Sequence, residues 1–153
     1  MTGATDAEEK TILDTRLDRV GVYQIGLFTT MPADDGTGGV EVSATNTNYA
    51  RVSINVSATE FAAADATSAP TVKKGPTGVN VWAFPTPKTA GSGGVSWGDI
   101  VGMGVWEAAA TPQLRWTAAL ATVVTVNAGD PAPQFDSSHQ ITFQAGDPTD
   151  PFT

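Results

Sequence analysis

The residues able to do chemistry are few and scattered. His139 is the only histidine of the 153-residue chain, cysteine is absent, and 16 acidic residues stand against 8 basic ones. His139 lies in "QFDSSHQ" with Asp136, Ser137 and Ser138, the residue types of a base, an orienting acid and a nucleophile. Neighbours in one loop rarely reach the geometry of a hydrolytic triad, and no G-x-S-x-G elbow presents a serine, so the expectation is a solvated imidazole and no catalytic residue. Some pair of carboxylates at glycosidase spacing is inevitable among 16 acids and says little. The runs "GTGG" and "GSGG" are not followed by Lys-Ser or Lys-Thr, so they are not phosphate loops.

Metal chemistry is as thinly represented. Ala-Gly-Asp-Pro occurs at residues 128–131 and again at 145–148. Gly129 and Gly146 fit left-handed turn positions, with Asp130 and Asp147 making Asx-type turns before a proline. The same carboxylates could join Asp34, Asp35 or Asp136 around calcium, but no D-x-D-x-D-G loop is present. Neither a metal nor any other cofactor is expected.

The elements that must position these residues follow from patterning. At 153 residues the chain buries roughly 70% of its unfolded surface, enough for a core without disulfides. Ile12, Leu13, Arg16, Leu17 and Val20 recur at helical spacing after a Thr5 to Glu8 capping box, which predicts a helix over residues 6–19. Beyond Gly21 the pattern changes to short strands, at residues 22–28, 40–44, 51–56, 79–84, 100–107, 114–126 and 140–144. Val52, Ile54 and Val56 alternate with Arg51, Ser53 and Asn55, as a half-buried strand requires. With 16 Gly and 10 Pro among so many short strands, the expected fold is mainly β, an antiparallel β-sandwich or partly open barrel with one short N-terminal α-helix. The expected organisation is a helical segment at 1–20 followed by a β domain at 21–153.

The formal charge of −8 and the lack of a basic patch argue against nucleic acid. "MTGATDAEEKTILDTRLDRV" is acidic where a signal peptide is basic, and no segment approaches about 20 apolar residues, so neither export nor a membrane span is expected. Trp82 and Phe84 share one face of a strand whose other face carries Val79, Val81 and Ala83. A strand apolar on both sides needs a second cover, from the core or from a neighbouring subunit. Trp97, Trp106 and Trp116 fall in or beside adjacent strands and could pair across them; core or intersubunit packing is the expectation for the tryptophans, with an exposed sugar platform as the alternative use.

Three stretches in fixed order resemble a family of small tailed-phage virion proteins. They are "EEKTILDTRLDRVGVYQIGLFTTMPADDGTGGVEVSATNTNYARVSI", then "SWGDIVGMGVWEAAATPQLRWTAAL", then "VNAGDPAPQF" with "ITFQAGD". Members are variously labelled tail fibre, minor structural, capsid decoration or head fibre proteins. The chain departs from the pattern in the long "FAAADATSAPTVKKGPTG" segment and in ending at "PTDPFT" without another apolar strand, which would leave an edge for a neighbour to cover. The resemblance implies a β-rich, non-enzymatic module in the virion, made in the host cytoplasm and partnered by other capsid or tail proteins. On this reading it is a decoration, head-fibre-base or small tail component, with a host-glycan-binding module as the alternative. A homo-oligomer, most plausibly a trimer, is expected, with Ile12, Leu13, Leu17, Trp82 and Phe84 at assembly contacts and Glu41 with Arg51 as a structural ion pair.

Overall fold

A computed structural model of the chain describes residues 6–17, 22–33, 35–55, 61–65 and 71–145. It is mainly antiparallel β with one α-helix, α1 at Asp6–Leu17. The strands are β1 (Val22–Thr30), β2 (Val40–Glu41), β3 (Val52–Asn55), β4 (Thr71–Gly75), β5 (Trp82–Ala83), β6 (Gly98–Glu107), β7 (Gln113–Val126), β8 (Gln134–Phe135) and β9 (Ile141–Ala145). The main sheet runs β2-β1-β6-β7, with β3 also paired to β1, while β4 pairs with β9 and β5 with β8.

Chain contacts divide the protein into two compact units, one of Met1–Gly21, Asn55–Trp82 and Phe135–Thr153, the other of Val22–Ile54 and Ala83–Gln134. In the first, α1 packs on β4 and β9, and Phe61 lies against Trp82 with ring centroids 5.4 Å apart. Leu13 is buried, and the Ala64 amide donates to Asp14 Oδ1 at 3.4 Å, so the helix is held by its apolar side and by one carboxylate. Thr5 of the expected capping box, Asp34, Val56 and the 145–148 turn beyond Ala145 lie outside the described residues, as do the side chains of Ile12 and Leu17.

The second unit contains the main sheet. β1 and β6 are central strands, and both are buried on two faces over Ile25 to Phe28 and Gly102 to Trp106. Their antiparallel register sets Gly26 opposite Gly104. Neither glycine leaves an empty groove. A Cβ on Gly104 would come within 2.7 Å of both Phe28 Cε2 and Trp106 Cη2, which shows that aromatic rings lie across the bare backbone. β7 begins with Gln113, Arg115 and Thr117 exposed and Leu114 and Trp116 half-buried, and its register skips Arg115, setting Leu114 opposite Trp106 and Trp116 opposite Val105 on the other face.

Several boundaries differ from the sequence expectation. The strand expected at 79–84 is paired only at Trp82–Ala83, because Val79 belongs to a turn after Gly78, whose φ is 64°. Val79 and Val81 are 96% and 49% exposed while Trp82 and Phe84 are buried, so one side of this stretch is covered within the chain. β4, in a stretch expected to be connection, holds its place through an antiparallel ladder with β9 despite Lys73 and Lys74. α1 falls in the same compact unit as β4 and β9.

Candidate functional site

The densest polar constellation is built where β1, β2 and β6 meet the segment at residues 49–51. Glu41 ends β2, and Val42 follows it by donating its amide to the Leu27 carbonyl at 3.0 Å, which holds the Glu41 side chain beside β1. Arg51 Nε donates to Glu41 Oε1 at 2.8 Å and Arg51 Nη2 to Oε2 at 2.7 Å, a bidentate pair in which each side chain is 24% exposed. The Tyr49 hydroxyl donates to Glu41 Oε1 at 2.8 Å and accepts the Leu27 amide at 2.8 Å. The Arg51 guanidinium carbon sits 3.7 Å from the centroid of the Trp106 ring. Burial is the main cause that pushes the Tyr49 phenol well above its ordinary range, with the nearby Glu41 charge adding to it. Tyr49 therefore stays protonated and remains a donor.

Gly26 makes this corner possible. A Cβ there would stand 2.6 Å from Glu41 Oε1, 2.8 Å from Trp106 Cζ3 and 2.8 Å from the Tyr49 hydroxyl. The loop before Tyr49 adds a second layer. Asn46 and Asn48 have φ of 61° and 63°, and between them Thr47 is 3% exposed. The Thr47 carbonyl accepts the Trp97 indole N–H at 2.9 Å and the Lys88 amide at 3.1 Å, and its hydroxyl bonds the Ser43 carbonyl. Tyr49, Phe84 and Trp97 form an aromatic group with centroids 5.2 to 6.2 Å apart. Sequence reasoning found Glu41 and Arg51 but missed Gly26 and Thr47. The available signal was the Asn-Thr-Asn run, two residues that tolerate left-handed backbone around one that does not.

Trp82, Trp97 and Trp106 are buried, and the register keeps Trp106 and Trp116 from standing opposite each other. Trp116 stands opposite Val105, and Trp106 opposite Leu114, so the indoles do not meet across the ladder. Trp116 instead meets Tyr23 at 5.6 Å, Trp106 meets Phe28 at 5.4 Å, and Trp97 joins Tyr49. Trp82 and Phe84 are each 3% exposed and buried within their own chain.

The remaining carboxylates organise turns. Asp136 Oδ1 accepts the amides of Ser138 at 2.8 Å and His139 at 3.0 Å and lies 3.1 Å from His139 Nδ1. Those bonds, the Ser138 amide first, hold its carboxyl below the usual carboxylate range. His139 is 76% exposed, and the Asp136 oxygen that meets its ring is shared with two backbone amides. Asp35 Oδ1 accepts the Thr37 hydroxyl at 2.7 Å and its amide at 2.9 Å, which likewise lowers its pKa. Gly129 has φ 86°, and Asp130 reaches back to accept the Asn127 amide at 2.6 Å. Among the described residues no three His, Asp or Glu side chains cluster as metal ligands.

These arrangements position backbone and fill space. A family model described as Podophage GP4 fiber I protein gp80 matches residues 4–144 of the chain. No curated protein and no solved structure matches it.

Proposed function

The chain belongs to the podophage GP4 fiber I protein family of phage virion fibre and structural proteins, and from that membership we propose that it is a non-enzymatic structural subunit assembled on the particle surface. Its place is that of a decoration or head-fibre-base subunit or of a small tail component. The observation that carries this reading is the extent of the family match, which runs through residues 4–144 and takes in both compact units. The polar constellation at Glu41 supports it, since every charged group there is spent on tying strands together.

Self-association is part of the proposal, with a trimer as the expected form. Trp82 and Phe84 are buried in their own chain, so at an assembly contact they would support the surface from beneath. Exposed Val123 and Val124 on β7, at 53% and 49%, are side chains that a neighbouring copy or another virion protein could cover. Leu13 is committed to packing under α1.

Two measurements test the reading. Fab fragments raised against the purified chain should decorate one defined position on intact particles in electron micrographs. Absence of labelling on particles, with the chain found only in the soluble lysate, would overturn the virion role. Sedimentation should give an oligomer at high concentration, and a monomer throughout would remove self-association while leaving the virion role standing. A receptor-binding module is the second reading, and it is favoured by one observation alone, the half-buried Trp116 beside a polar hollow.

A further inference from the structure

β7 runs for 14 residues and ends the main sheet, with no described strand paired to its outer side. From Ala118 to Thr125 every residue but Leu120 is exposed, although their partners on β6 include the buried Ile100, Gly102 and Met103. Natural sheets blunt such an edge with lysine, proline or inward-pointing charge. Residues 116–126, "WTAALATVVTV", hold no charged residue, no proline and no glycine. Val123 and Val124 stand 53% and 49% exposed on it.

The one device that guards this edge is a bulge. Ile100 pairs with Val124 and Gly102 with Ala119, so Leu120 to Val123 answer a single residue of β6. The bulge also changes which side chains share a face. Ile100 and Gly102 lie two apart on one strand and point the same way, so Val124 and Ala119 share a face although five residues separate them. Thr125, opposite Asp99, and Ala118, opposite Met103, share the other. A second copy laid antiparallel along β7 by a two-fold axis normal to the sheet keeps each face on its own side. One face-matched register sets exposed Val124 on the partner's exposed Ala119, and Thr125 on the partner's Ala118, each pair occurring twice. It also brings the Arg115 end of each strand to the Asp130 end of the other. Charge favours a copy as the occupant. Two chains of −8 repel each other, and they approach with least repulsion along a stretch where neither carries a charge.

We propose that the outer side of β7 is a contact with a second copy of the chain, made by antiparallel strand pairing about a two-fold axis between Ala121 and Thr122. Such pairing adds main-chain hydrogen bonds along the edge and covers Val123 and Val124. The inference rests on the self-association proposed above and gives it a surface and a symmetry. By itself the contact makes a dimer, and where another surface closes a trimer it joins trimers in pairs.

Because the full chain has no cysteine, engineered ones report without background. Ala119→Cys and Val124→Cys, mixed in equal amounts under mild oxidation, should form a disulfide-linked heterodimer about tenfold faster than either variant links to itself. Directly opposite Cβ atoms lie about 5 Å apart, within reach of a disulfide, whereas like positions are offset along the strand by about 17 Å. Ala118→Cys mixed with Thr125→Cys should behave in the same way. Val124→Lys, at a side chain 49% exposed, should halve the sedimenting mass at high concentration and leave the circular dichroism spectrum unchanged. Equal cross-linking of mixed and single variants, or an oligomer that Val124→Lys leaves whole, would overturn the β7 contact and leave self-association standing. A wild-type chain that sediments as a monomer throughout and gives no mixed cross-link would overturn both.

Discussion

Glu41 and Asp136 each gather several donors on one carboxylate, yet they do different work. The partners of Glu41 are Tyr49 and Arg51, eight and ten residues away, and its surroundings include Trp106 on another strand. The partners of Asp136 are Ser138 and His139, two and three residues away. The two carboxylates are similarly exposed, Glu41 at 24% and Asp136 at 31%, but the ring partner of Asp136 is 76% exposed where Arg51 is 24%. The number of bonds does not separate these sites. Sequence separation and the burial of the partners do, because a carboxylate that bonds across strands loses the sheet corner when removed, while a local turn can re-form with water.

The comparison would break first at Gly26. Gly26→Ala drives a methyl group into the Glu41 carboxylate, the Trp106 ring and the Tyr49 hydroxyl together, and the groups that must give way are bonded to one another. The expected loss is about 3 kcal/mol in chemical denaturation, at the upper end for overpacking. A loss below about 0.5 kcal/mol would show that the corner is plastic and that Glu41 is no more constrained than Asp136.

Next in size is the carboxylate itself. Glu41→Ala leaves the Arg51 guanidinium and the Tyr49 hydroxyl without their acceptor and should cost about 2 kcal/mol. Tyr49→Phe removes the acceptor of the Leu27 amide and should cost about 1 kcal/mol. The two losses should fall short of additive in a double-mutant cycle, since both act on one hydroxyl–carboxylate bond. Additivity would mean that the groups are neighbours without being a network.

Arg115→Ala supplies a control. Arg115 pairs with Glu107 at 2.5 Å, a geometry as close as that of Arg51, but the two side chains are 39% and 43% exposed. The expected change is under about 0.5 kcal/mol and should vanish in high salt. A loss equal to that of Glu41→Ala would deny that burial decides between the two pairs.

How much of this was legible beforehand follows the same division. Local signals read well. Helical spacing placed α1, and the alternation of Val52, Ser53 and Ile54 placed β3, where Ile54 is buried and Ser53 exposed. The run "VGMGVWE" placed β6, and Gly129 took its left-handed turn. Glu41 and Arg51 were paired from their positions at strand starts in the segment 32–51. What could not be read was which residue crosses to which. Lys73 and Lys74 hide β4, because its strand character comes from pairing with β9, and composition does not carry a partner. The register that separates Trp106 from Trp116 depends on irregularities in the β6 and β7 ladder that side-chain types do not announce. Gly26 looked like a glycine in a strand until the groups around it were placed.

The smallest expected effect lies at Asp136 and is read best from titration. Its folded pKa lies below the 3.8 of an ordinary aspartate, the Ser138 amide being the largest cause and the His139 ring the next. A carboxyl depressed in the folded state binds its proton less readily than in the unfolded chain. It therefore adds stability that is fully present above the unfolded value of about 3.9 and is lost as pH falls through the folded pKa. Because the group sits in a surface turn, 31% exposed and open to solvent screening, the unfolding midpoint near neutral pH should not move measurably in Asp136→Asn. The carboxyl carbon shift of Asp136 should titrate below 3.8, and in His139→Ala its pKa should rise only part of the way, because the Ser138 amide still donates. Full return to the ordinary value in His139→Ala would make the imidazole, and not the turn backbone, the group that holds the charge. Asp136 and His139 would then be a side-chain pair in their own right, closer in kind to Glu41 and Arg51 than the exposed turn suggests.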